Sequence, residues 1–408
     1  MFSFPSRGNR IQNSVIPEGF IGNLRNNGSP IEALGDDVTV SYEKIRTRFM
    51  RLPCSPSRRT AQRIALSIWM LIPFLLQMSL AADAAPQAQP TIETAQQVSR
   101  QQLSQQLAQE TGIPADEIRA ILQHATYRPQ IIARMQRQWE AQPYSRYRPL
   151  FIKPSLKRKG RAYLASHRAI FAQVEQKYGV DAVIIAAILA IETRFGHAQG
   201  SRPVLDSLYT LSTGFPRRAD FFRHQLGALI NISRRDQLDL TTLKGSYAGA
   251  FGAIQFIPTS FEQYAVDEDG DGIRDVIHSQ RDIIASVANY FAKHGWQHHR
   301  PSAYWLPAGS KLTPQWQQHI ESDNISQWRS LGELRHVMPA AFAHLPSIWH
   351  DNDQVSLIRM QRSDGMRVAL IHHNFRVIMR YNPSFNYAMA VTEIAAMLER
   401  GEHRFAVE

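Results

Sequence analysis

Ten apolar residues in succession, Ala182 to Ile191, separate Asp181 from Glu192. A helix that is apolar on every side is a buried one. The run therefore predicts a central helix, with Asp181 as its N-cap and Gly196 as its stop. Around it, apolar residues at helical spacing predict helices over 157–178, 205–213, 219–235, 258–264 and 280–294. The same spacing runs through 93–140, carried by Leu103, Leu107, Ile113, Ile118, Ile121 and Leu122. Residues 143–154, with the sequence YSRYRPLFIKP after Pro143, read as an aromatic and basic loop. Beyond Trp296 the period changes. Residues 356–382 alternate with period two around Asp364-Gly365, a hairpin signal. Residues 385–400 return to helical spacing. This is the pattern of a mainly α protein with a helical core at 157–296 and a small β subdomain at about 300–385.

Upstream lies a different kind of apolar run. Ile64 to Leu80 contains no charge; Arg58, Arg59 and Arg63 precede it, and Ala82-Asp83-Ala84 follows. Basic stretch, apolar run and small-residue cleavage site make a signal peptide, here residues 50–84 counted from Met50. An uncleaved anchor is the alternative reading. Residues 1–49 are then a leader or a mis-assigned start, and 85–95 a Pro/Ala/Gln linker. Cys54 precedes the apolar run rather than following it, so no lipid-anchor cysteine is present. The expected destination is the periplasm.

Composition narrows the classes further. An apolar share of 44% over 408 residues is enough for a real core and excludes a wholly disordered chain. The single cysteine excludes a disulfide framework. A net charge of +11 admits a polyanionic partner, but the basic residues are dispersed and the chain is exported, which argues against nucleic acid.

Four features carry candidate chemistry. Glu192 closes the apolar run, where desolvation raises a carboxyl pKa toward that of a useful general acid; the alternative is a helix-end Glu paired with Arg194. Asp267, Asp269, Asp271 and Asp275 fall at positions one, three, five and nine of an EF-hand-like loop (267–278), with Gly272 at position six for the turn and Ile273 at the backbone-carbonyl position. That pattern predicts calcium, or else a plain Asp turn. His278 at position twelve is a poor calcium ligand, and Asp282 lies beyond the standard register. Gly245 to Pro258, GSYAGAFGAIQFIP, offers small residues for close backbone approach, with Ser246 and Gln255 as polar handles. Finally, Tyr144, Tyr147, Tyr247, Phe256, Tyr290, Tyr381 and Tyr387 could stack on sugars or simply fill the core.

Glu192-Thr-Arg-Phe-Gly196 resembles the E-[ST]-x-[FY]-G signature of lytic murein transglycosylases. Arg202-Pro-Val-Leu-Asp206, Pro216-Arg-Arg218, Phe221-Phe-Arg223, GSYAGAFGAIQFIP, the Asp loop, SVANYFAKHGW, Arg380-Tyr-Asn-Pro-Ser384 and Tyr387-Ala-Met-Ala-Val391 are similar to the B-type family, glycoside hydrolase family 103. The likeness covers about 96–400. It implies a lysozyme-like catalytic core with a deep groove. It also implies cleavage of the MurNAc-β-1,4-GlcNAc bond of peptidoglycan without water, leaving 1,6-anhydro-MurNAc. By the same resemblance Glu192 is the sole acid/base, and Ser246 and Asn382 orient the N-acetyl arm. Gln255, Phe256, Tyr147, Tyr290 and Tyr381 line the groove, and Arg217 and Arg218 meet the glycan or its peptide. The Asp loop takes a structural Ca²⁺. Ala253, Ile254, Tyr144 and His278 depart from the usual family residues.

A glycosidase of the usual kind needs two carboxylates, whereas only Glu192 sits in an apolar wall. A hydrolysing muramidase on the same fold and a non-enzymatic peptidoglycan-binding protein are the competing readings. The expected partners are peptidoglycan strands and other cell-wall enzymes, with the chain a monomer.

Overall fold

The computed structural model describes residues 92–135, 142–321, 325, 327–399 and 405. The expected leader and signal peptide, residues 1–84, lie outside the described residues, as does most of the linker. The linker's last four residues are helical, because the first helix starts at Ile92.

The chain opens with α1 (Ile92–Thr111), α2 (Ala115–Gln123), α3 (Pro129–Met135), α4 (Tyr144–Phe151), α5 (Pro154–Ser166) and α6 (Arg168–Tyr178). The apolar run forms α7 (Ala182–Thr193). After it come β1 (Arg202–Pro203), α8 (Val204–Gly214), α9 (Ala219–Arg235), β2 (Lys244–Gly245), α10 (Pro258–Tyr264) and α11 (Gln280–Lys293). The remaining elements are β3 (Ala303–Trp305), α12 (Pro314–Glu321), β4 (Arg329–Ser330), α13 (Leu331–Val337), β5 (Gln354–Arg362), β6 (Gly365–His372), α14 (His373–Tyr381) and α15 (Phe385–Leu398). The fold is mainly α with a small β part, as the periodicity predicts.

Burial explains the architecture. Every residue of α7 from Ile184 to Ile191 is buried, and α5, α6, α11 and α15 pack around it. The second apolar helix, α15, lies against α7 with Tyr387 to Ala395 buried. The four-stranded sheet has the order β3-β6-β5-β4, all antiparallel. Its two faces serve two cores. Ile358, Met360, Ala369 and Ile371 face the main helical core. Val355, Leu357 and Leu370 face a smaller one with Trp316, Leu331 and Trp349. Strand alternation separates the two sets.

Several expected boundaries move. Residues 143–154 are not a loop: α4 forms there because Tyr144, Tyr147 and Phe151 recur at helical spacing and are all buried, with Pro149 inside the helix. The expected helix 157–178 is two helices that meet at His167, whose φ of −112° leaves the helical region. The period-two stretch ends at His372. Asn374, Phe375, Val377 and Ile378 are buried at helical spacing, so 373–381 is α14. The hairpin turn is Ser363-Asp364, with Arg362 paired to Gly365. No helix among the described residues is long and apolar enough to cross a membrane.

Candidate active site

Glu192 stands at the last turn of α7, and the helix leaves its axis at once. Arg194 and Phe195 both take positive φ (53° and 63°), two residues before the expected stop at Gly196. Non-glycine residues in that region cost free energy and mark functional turns. Phe195 N–H closes the turn on the Leu189 carbonyl at 2.8 Å. Thr193 holds the turn from the side. Its hydroxyl donates to the Ala253 carbonyl at 2.6 Å and accepts from Gly196 N–H at 2.9 Å. Thr193→Val keeps the shape and removes both bonds at a fully buried position. A loss of about 1–3 kcal/mol in stability is expected in urea unfolding.

The Glu192 carboxyl accepts a 2.6 Å hydrogen bond from Tyr387 Oη. Burial raises its pKa from 4.5 to about 8, and the Tyr387 bond works the other way. Residue 192 keeps partial solvent contact, as an acid that must reach a substrate requires. At neutral pH it is therefore mostly protonated. The expected pair with Arg194 is not what sets its state.

Aromatic rings extend from this acid. Tyr387 stacks on Tyr381 at 6.4 Å and 6°. Tyr381 meets Tyr290 at 4.9 Å and Phe256 at 5.7 Å. Tyr290 Oη is fixed by the Arg380 carbonyl at 2.6 Å, and Tyr381 Oη by that of Ile254 at 2.5 Å. Burial first and Glu192 next raise the Tyr387 pKa, and Tyr147, on α4, is close enough to add to the rise. Tyr147, Phe256, Tyr290 and Tyr381 are thus brought together near Glu192.

The small-residue segment folds as a tight framework. Ser246 Oγ accepts N–H bonds from Ala248 and Ala250 at 3.3 and 3.1 Å. Gln255 has a φ of 50°, and its Nε2 donates to the Gln199 and Gly252 carbonyls at 3.0 and 2.9 Å. The glycines are needed for contact: a Cβ on Gly252 would sit 2.8 Å from the Val276 carbonyl oxygen. Asn382, next to Tyr381, is 2% exposed, and neither polar atom of its side-chain amide has a hydrogen-bond partner among the described residues. An amide left so costs free energy and is suited to a polar ligand. Arg217 is exposed on the turn before α9, and the Arg218 guanidinium lies 4.1 Å from the Phe221 ring centre. A cavity of about 670 Å³ is lined not by Glu192 but by residues after α7 (Gly196, His197, Gln199) and in the Asp loop (Asp275, Ile277, His278).

In the Asp loop, one oxygen each from Asp267, Asp269 and Asp282 lie within 4.8 Å of one another. Asp282, outside the standard register, therefore joins the set. Asp271 turns an oxygen to Ile273 N–H, and Asp275 to Ile277 and His278 N–H, all at 2.8 Å. Arg274 pins the loop to α9 through a bidentate pair with Asp236 at 2.8 and 2.6 Å. Two residues named from the sequence take roles that were not expected of them: Tyr387 is the hydrogen-bond partner of Glu192, and Asp282, on α11, joins the loop carboxylates. The signal for the first was a tyrosine hydroxyl on a largely buried helix, which needs a partner when buried.

Comparison with known proteins agrees with this geometry. Residues 95–396 match the family model described as Transglycosylase SLT domain. Membrane-bound lytic murein transglycosylase B of Escherichia coli (strain K12) is 36% identical over 256 residues. That alignment covers 61% of this chain and 65% of the E. coli protein's own length. SltB3 from Pseudomonas aeruginosa in complex with NAG-anhNAM-pentapeptide superimposes with a TM-score of 0.66 at 33% identity, covering 75% of this chain and 80% of that one. E. coli Slt35 in complex with calcium gives 0.63 at 31%, covering 73% and 92%. The lysozyme-like core expected from the sequence is the fold of these neighbours. A buried acid at the end of an all-apolar helix, the framework loop beside it and a family match across 95–396 lead to one conclusion: the chain belongs to the transglycosylase SLT domain family.

Proposed function

We propose that the protein is a lytic murein transglycosylase that cleaves the MurNAc-β-1,4-GlcNAc bond and leaves a 1,6-anhydro-MurNAc end. One observation carries the reading. Glu192 is a buried carboxyl held protonated near neutral pH, and among the described residues its proton affinity is set by burial and Tyr387, not by a second carboxylate. Hydrolysis by the usual routes needs two carboxyl groups about 5–10 Å apart. One is enough when the substrate supplies the nucleophile.

Glu192 gives its proton to O4 of GlcNAc as the C1–O4 bond breaks. The N-acetyl oxygen of MurNAc stabilises positive charge at C1. The C6 hydroxyl oxygen then bonds to C1, and its proton passes to the Glu192 carboxylate, which restores the acid. No water is consumed. Asn382, with donor and acceptor both unpartnered among the described residues, receives the N-acetyl arm together with Ser246. Tyr147, Gln255, Phe256, Tyr290 and Tyr381 frame the sugars. Arg217 and Arg218 meet the carboxylates of the stem peptide, a substrate class in keeping with the peptide-bearing fragment bound to SltB3. The site of action is the periplasm. The test is digestion of purified sacculi followed by mass spectrometry. Products one water lighter than reducing-end muropeptides are expected, and reducing-end products would make the protein a hydrolase.

The Asp loop holds one structural Ca²⁺ through Asp267, Asp269 and Asp282, a hard-oxygen set suited to that ion. Bound there, calcium ties the loop to the start of α11, and no step of the reaction passes through it. Calcium is expected to raise the melting temperature, EDTA to reverse the rise, and D269A to diminish it. No shift with calcium would leave the loop a simple turn.

A further inference from the structure

A second group of ligating side chains lies at the other end of α7. Asp181 lies eleven positions before Glu192, about 16 Å along the helix. Glu175 on α6, Asp181 at the start of α7, and His298 and His299 after α11 each place one ligating atom within 4.8 Å of the others. His298 Nε2 stands 3.1 Å from Glu175 Oε1, and His299 Nδ1 stands 3.0 Å from Asp181 Oδ1. The two imidazole rings are stacked with centroids 3.5 Å apart, so they approach the carboxylates together.

Asp181 does not do the work expected of it. Its side chain makes no cap bond to α7, although the residue is fully buried. Trp296 Nε1 donates to Oδ2 at 2.9 Å, and His299 N–H reaches the same oxygen at 3.3 Å. These bonds orient the carboxylate so that Oδ1 meets His299 Nδ1. Outer hydrogen bonds that fix the direction of a ligating group are characteristic of metal sites.

We propose that Glu175, Asp181, His298 and His299 bind one zinc ion. Two imidazole nitrogens and two carboxylate oxygens are a borderline donor set that suits zinc, and four protein ligands make a closed, structural site. A tetrahedron with ligands about 2.0–2.1 Å from the ion has edges of about 3.3 Å. The two observed pairs need to open by only a few tenths of an ångström. The ion replaces two His–carboxylate contacts and joins α6, α7 and the segment after α11. It stabilises the end of α7 remote from Glu192 and does not depend on the transglycosylase reading.

The test is zinc content, measured by mass spectrometry of the metal after the purified protein is loaded with zinc in excess calcium and desalted. Wild type and D269A are expected to keep one zinc per chain, and H298A/H299A and E175Q to keep far less. Both histidines are exposed, and circular dichroism checks that the variants are folded. Cobalt in place of zinc is expected to give the visible absorption of a tetrahedral site. Zinc-free wild type, or H298A/H299A holding as much zinc as wild type, would overturn the proposal.

Discussion

Glu192→Gln is expected to lower release of anhydro-muropeptides by at least about 10³-fold, because one side chain serves as both acid and base. Gln matches the protonated carboxyl in shape and can still accept the Tyr387 hydrogen bond, so the fold is expected to remain. Stability gives a second readout. The folded carboxyl titrates at about 8 and the unfolded one near 4.5. Between those values the native state keeps a proton that the unfolded state has released. Wild type therefore loses stability as pH rises through that window, and Glu192→Gln does not. The variant is expected to melt at the wild-type temperature near pH 4 and above it at pH 9. In the wild type, activity falls as pH rises through about 8, since only the protonated form donates.

Tyr387→Phe is the second large effect. The 2.6 Å bond to Glu192 favours the ionised carboxyl, the form that exists after the first proton transfer. Hydrogen bonds to charged groups are worth about 1.5–3 kcal/mol, so kcat is expected to fall about 10- to 100-fold with KM little changed. The direction of the pH shift separates this role from simple packing. Without the tyrosine hydroxyl, the Glu192 pKa moves further up, and the alkaline limb of the rate profile moves with it. A variant with lower activity and an unmoved alkaline limb would show Tyr387 to be merely structural.

Some of this was legible in the residues and some was not, for physical reasons. The helix α7 could be read because an unbroken apolar run has one stable environment, and the acid that closes it inherits desolvation. The helix α4 was missed because proline and arginine obscured three tyrosine and phenylalanine positions at helical spacing, where burial decided the conformation. The turn at Arg194 and Phe195 was invisible, since those residues take left-handed conformations only under tertiary clamps such as Thr193. The Tyr387 contact spans 195 positions, which no local pattern encodes. Asn382 could be named from resemblance, but its unpartnered amide is a property of the folded surroundings. In the Asp loop the spacing located the carboxylates, while the chain's path placed Asp282 among them.

The central claim is that the substrate's own C6 hydroxyl, and not water, closes on C1 under the control of Glu192. Digestion of sacculi in oxygen-18 water, with the muropeptides weighed by mass spectrometry, tests it most directly. Products that carry no heavy oxygen and end in 1,6-anhydro-MurNAc are expected; heavy oxygen at the new C1 ends would contradict the claim.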